Sequence, residues 1–99
     1  MSFDGTWNIT IATPIGKQSV VLEISTHDGN VRGTARQGEE VVPFIDPVVD
    51  GDRLTWTQNV TRPMRLSLKF DVTVEGATMA GTAKAGFLPT SKLTGARIA

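Results

Sequence analysis

Met64-Arg-Leu-Ser-Leu-Lys-Phe-Asp-Val-Thr-Val-Glu75 is the stretch that decides the fold. Met64, Leu66, Leu68, Phe70, Val72 and Val74 recur at a period of two, with Arg65, Ser67, Lys69, Asp71, Thr73 and Glu75 between them. Successive side chains of an extended chain point to opposite faces. The pattern therefore describes a strand with one buried face and one wet face, the mark of an antiparallel sheet. Helical periodicity would need apolar residues three and four apart, and no segment sustains it.

Outward from that strand the alternation recurs. Trp7, Ile9 and Ile11 oppose Thr6, Asn8 and Thr10. Val20, Leu22 and Ile24 oppose Ser19, Val21, Glu23 and Ser25, and Leu54, Trp56 and Gln58 oppose Thr55, Thr57 and Asn59. Turn chemistry bounds each run: Thr13-Pro14-Ile15-Gly16, Asp28-Gly29-Asn30, Asp50-Gly51-Asp52, Arg62-Pro63 and Glu75-Gly76. Asx-Gly pairs supply the positive φ that tight hairpins need. The spacing predicts strands at 5–12, 17–26, 30–37, 40–49, 52–60, 64–75, 77–85 and 90–98. Eight short strands joined by hairpins form a meander, and closure removes its two exposed edges. The expected fold is all-β, an eight-stranded antiparallel up-and-down β-barrel, with residues 1–99 as a single domain.

Small residues recur on the strand faces. Val31, Gly33 and Ala35 share one face, as do Met79, Gly81 and Ala83. Such residues let a sheet coil sharply and let neighbouring side chains cross the barrel, or they leave a cavity. The echo between Asp28-Gly-Asn-Val-Arg-Gly-Thr-Ala-Arg36 and Glu75-Gly-Ala-Thr-Met-Ala-Gly-Thr-Ala-Lys84 is repeated hairpin geometry, too sparse for a stacked solenoid.

Composition narrows the function classes. The chain is 39% hydrophobic and 20% charged, an ordinary globular balance. Ten basic residues offset ten acidic ones, which disfavours nucleic acid and anionic membrane surfaces as partners. With no cysteine there is no disulfide framework and no thiolate chemistry, and the one histidine, His27, cannot build a His-rich zinc site. His27 sits in a turn and is expected in solvent, and Asp50-Gly51-Asp52 is too short for a calcium loop. No metal site and no cofactor are called for. No run approaches the roughly 20 apolar residues of a membrane helix. Strand-like sequence begins at once after Met1, so no signal peptide is expected and cytoplasmic residence is the default. Asn8-Ile9-Thr10 and Asn59-Val60-Thr61 match the glycosylation pattern, which on that default is chance.

Gly5-Thr6-Trp7 opens the first strand, and Thr94-Gly95-Ala96-Arg97 closes the last. This pairing resembles the calycin superfamily of lipocalins, avidins and fatty-acid-binding proteins. There a Gly-x-Trp begins the first strand, and a late Arg packs across the Trp to plug one end of the barrel. The resemblance places Trp7 and Arg97 in those two roles and covers nearly the whole chain. Gly-Thr at 33–34 and 81–82, with Asp-Gly-Asp-x-Leu-x-Trp at 50–56, is similar to small bacterial domains of that type. The chain lacks tyrosine, a C-terminal helix and a helical lid, and its polar residues do not match a biotin site.

The candidate ligand-binding residues are Trp56, Gln58, Phe44, Phe70, Met64 and Met79. A Gln58 amide on the same face as Leu54 and Trp56 is the kind of polar group that orients a ligand. The Phe and Met residues serve equally as plain core. Phe3 and Phe87 are placed to shut opposite ends of the interior. Ala85-Gly86-Phe87-Leu88-Pro89 reads as a plug, an entrance lid or a subunit contact. Val41 to Val49 carries two prolines, marking an edge or a bulge, and is a candidate homodimer contact. Asp46 within it is the best candidate for an inward carboxylate. Gln58→Leu is expected to change ligand affinity far more than stability. No catalytic set is identified.

Three functions remain open on these residues. The first is binding of a small apolar or aromatic molecule inside the barrel. The second is a cofactor-free lyase, isomerase or cyclase using Asp46 or Arg97. The third is a structural or oligomeric module with a packed core.

Overall fold

The computed structural model describes residues 3–13, 16–60, 66–86 and 89–99. Among them are nine strands: β1 (Gly5–Thr13), β2 (Gly16–His27), β3 (Asn30–Gln37), β4 (Glu40–Pro43), β5 (Ile45–Asp50), β6 (Arg53–Val60), β7 (Leu66–Glu75), β8 (Thr78–Ala85) and β9 (Ser91–Arg97). They form one antiparallel sheet in the spatial order β4-β3-β2-β1-β9-β8-β7-β6-β5. Neighbours in sequence are neighbours in the sheet except at β4 and β5. The last strand returns to the first, in register from Trp7↔Arg97 to Ala12↔Lys92.

The two edges of the sheet, β4 and β5, are consecutive in the chain and separated by Phe44 alone. The sheet therefore curls round until both edges meet in one kinked segment, and the barrel is nearly closed. Here the expected single strand 40–49 is corrected to two strands, which makes nine of the expected eight. The cause is local. Pro43 and Pro47 have no N–H to give a ladder. Asp46 adopts φ 49°, in the left-handed region. The β5–β6 register runs Ile45↔Thr57 and then Val48↔Thr55, so a bulge lies between. The Phe44 N–H still donates to Gly33 O on the β3 side at 2.9 Å. The segment changes partner from β3 to β6 within two residues.

The inward face is the one the alternation marked. Trp7, Ile9, Leu22, Leu54, Val72, Met79 and Leu93 are fully buried, while Ser67, Lys69, Thr73 and Glu75 point to solvent. The small residues on this face are filled against. A Cβ built on Gly33 would meet the Phe44 ring, with Cδ2 at 2.6 Å and Cζ at 2.8 Å. One on Gly95 would meet Ile9 Cγ2 at 2.5 Å. At Gly81 it would collide with the backbone of Asp71 and Val72. These glycines permit close crossing, the first of the two readings open for them.

Hairpin connections alternate between the barrel's two ends. One end carries the turns at 28–29, 51–52 and 76–77 together with residues 3–5 and 97–99. The other carries the connections β1–β2, β3–β4, β6–β7 and β8–β9.

Candidate functional site

The first end is filled. Trp7 is completely buried, and its indole N–H donates to Phe3 O at 2.9 Å. Phe3 is itself buried in the core. The Arg97 guanidinium carbon stands 4.5 Å from the Trp7 ring centroid, a cation–π contact of the kind worth about 0.5–2 kcal/mol. The register that pairs Trp7 with Arg97 puts both side chains on the inner face. Thr6 and Ile98 then tie the chain's end to β1, the Ile98 N–H donating to Thr6 O at 2.8 Å.

Midway along β6 and β7 the wall is aromatic. Trp56 pairs with Phe70 across β6–β7, and their rings stack at 4.8 Å with planes 2° apart. Phe44 covers the other face of Trp56 at 4.2 Å and 11°. The three rings form one continuous stack, with Gly33 making room for Phe44. The kink that breaks the strand at Phe44 is thus what aims this ring inward.

Gln58 follows Trp56 on the same face and is buried. Its Oε1 accepts the Trp56 indole N–H at 2.7 Å. An indole nitrogen only donates, so the amide oxygen must face it and the Nε2 donors are turned away from the ring. Ser91, the first residue of β9, is the second buried polar side chain among the described residues. Both stand toward the loop ends of their strands, on the side away from the Trp7–Arg97 contact. Leu68 and Ala85 on the neighbouring strands pair with this region: Gln58↔Leu68 and Leu68↔Ala85. A Gln and a Ser amid apolar wall can orient a ligand by hydrogen bonds while the wall excludes water.

The structure thus brings together Phe44, Trp56, Phe70 and Gln58. Met79 is apart from them: it pairs with Val74 and Gly95, one residue beyond the start of β8, at the filled end. Met64 and Phe87 lie outside the described residues. Asp46 is corrected. It is exposed, because the bulge at its positive φ turns it out of the inward alternation, and it does not supply an interior carboxylate. His27 is exposed, as expected, but it is the last residue of β2 and not part of the turn. Gln58 also supports the Trp56 indole, so Gln58→Leu bears on stability too. Ser91 was missed, yet the period that places Leu93, Gly95 and Arg97 on one face reaches it two residues earlier.

Among the described residues no group of three His, Cys, Asp or Glu side chains is placed to hold a metal ion, and no helix is long and apolar enough to cross a membrane. No protein-family model matches the chain, and no curated protein matches it.

Proposed function

We propose that this protein is a calycin-like carrier that binds a small apolar or aromatic molecule at the end of its barrel opposite Trp7 and Arg97. The observation that carries the reading is the placement of Gln58 and Ser91, both buried and both toward that end. Gln58 is oriented by Trp56, so the group it turns to a ligand is an N–H donor. The ligand this suits carries an acceptor such as a carbonyl or ether oxygen on an apolar body. Phe44, Trp56 and Phe70 supply the wall, and Met64 remains a candidate for its periphery; Met79, at the filled end, falls outside it. Residence in the cytoplasm is part of the same proposal.

Native mass spectrometry of the purified protein, beside the same sample denatured, tests it. A mass excess lost on denaturation supports binding and weighs the ligand. A bare polypeptide mass, together with no saturable change in Trp fluorescence on adding a naphthalene-based apolar probe, would refute it.

A second reading is a structural module with a packed core. It is favoured by the filled glycine sites, Phe44 over Gly33 above all. The same spectrum addresses its oligomeric form. Val41, Val48 and Val49 are 56%, 57% and 44% exposed on the kinked segment, and we place a homodimer contact there. The enzymatic reading loses Asp46, which is exposed, as its inward carboxylate, and its other candidate, Arg97, lies over the Trp7 ring.

A further inference from the structure

We propose that the outer surface of β6, β7 and β8 binds an oxyanion, a phosphate or sulfate group on a small molecule, through Lys69 and Lys84. The two lysines are direct cross-strand partners on the outer face. Side chains so placed start about 5 Å apart at Cβ, and like charges there destabilise a sheet. Strand pairing alone would select against this arrangement, and an anion between the two ammonium groups reverses its sign.

The surroundings suit that anion. A depression of about 330 Å³ opens between the lysines and the hydroxyl-bearing Thr55, Thr57 and Thr82. Lys92 stands opposite Thr82 on β9 and adds a third cation at the margin. A tetrahedral oxyanion offers several acceptor atoms, and ammonium and hydroxyl groups are its natural donors.

Two carboxylates also line the depression, Asp71 and Asp46. Asp71 is occupied: Arg53 Nε donates to its Oδ1 at 2.8 Å and a terminal guanidinium nitrogen to its Oδ2 at 2.5 Å. Among the described residues neither Lys69 nor Lys84 makes an ion pair. Asp46, exposed at the bulge, opposes an anion. With Asp71 neutralised, the depression remains net positive. The depression has room for such a group. A chain of zero net charge offers no extended field for a polyanion. This site lies outside the barrel, and its test does not depend on the interior ligand.

The test is an amide NMR titration with inorganic phosphate, ionic strength held constant with chloride. Saturable shifts at Lys69, Thr82 and Lys84 are expected, with a midpoint of about 1–10 mM. The double variant K69Q/K84Q should raise that midpoint at least about tenfold, a loss of about 1.4 kcal/mol. D46N should lower it, and K17Q, on β2, should leave it unchanged. The variant spectra themselves report that the fold is intact. Phenyl phosphate run in parallel separates two sources: a lower midpoint marks an esterified ligand, an equal one the simple anion, and both support the site. Non-saturating drift, or the same midpoint in K69Q/K84Q, overturns the proposal.

Discussion

Gly33→Ala should destabilise this protein, against the usual direction of Gly→Ala in a strand. Where the backbone suits it, that change stabilises by about 0.4–1 kcal/mol through the unfolded state. Gly33 has no left-handed φ that would oppose it. The obstacle is Phe44, two of whose ring carbons lie 2.6 and 2.8 Å from the new methyl carbon. The ring cannot retreat directly, because Trp56 is stacked behind it at 4.2 Å and Phe70 backs Trp56 at 4.8 Å. Forcing a methyl into so tight a site costs about 1–3 kcal/mol. Set against the entropic gain, a net loss of about 1–2 kcal/mol is expected. That lowers the melting temperature by about 4–8 °C per kcal/mol in a domain of this size. A double-mutant cycle by urea denaturation isolates the cause. In a Phe44→Ala background the same Gly33→Ala change should turn neutral or stabilising, a coupling of about 1–3 kcal/mol. If Gly33→Ala proved neutral in the parent, or equally harmful without Phe44, the Phe44 ring would not rest on Gly33.

Three further outcomes follow from the same packing. Trp7→Ala removes a fully buried ring and its bond to Phe3 O, and should cost about 3–5 kcal/mol in chemical denaturation; a near-neutral result would refute the Trp7–Arg97 contact as a barrel plug. Gln58→Leu leaves the Trp56 indole N–H buried without its acceptor and should lower stability by about 1–3 kcal/mol; an unchanged urea midpoint would mean that this N–H has another partner. The Asp71 carboxyl is held below its ordinary value by the hydrogen bond and charge of Arg53. Its contribution to stability is therefore fully present above the unfolded aspartate value of about 3.9 and is lost as pH falls through the lower folded value. Asp71→Asn should be less stable than the parent at pH 7 by a small margin, the pair being half exposed, and that margin should shrink as pH falls below the unfolded aspartate value; a margin independent of pH would exclude the ion pair as its source.

Alternation is a local property, and where it was strong the sequence sufficed. Along 66–75 each apolar residue is less exposed than the polar residues beside it, with Phe70, Val72 and Val74 buried, because a one-residue slip would put every apolar side chain in water. Asp28-Gly29 places its hairpin for a similar reason: φ of 51° and 80° is accessible to Asp-Gly and to few other pairs. Inward identity of Trp56 and Gln58 followed from the same period. Asp46 shows the limit. Its place in the alternation depended on a strand that Pro43, Pro47 and the bulge interrupt, so counting by twos failed across the break.

What the sequence by itself determined was which residues face inward on the unbroken strands and where their hairpins turn, since both rest on the pleat and on φ. What only the tertiary structure decided was which inward residues meet. The Phe44–Trp56–Phe70 stack, the seat of Phe44 on Gly33, the acceptor that Gln58 gives Trp56 and the pairing of Lys69 with Lys84 all depend on register and on the kink that changes strand partners. Register is fixed by the summed packing of the whole curled sheet, and no single strand's sequence contains that sum.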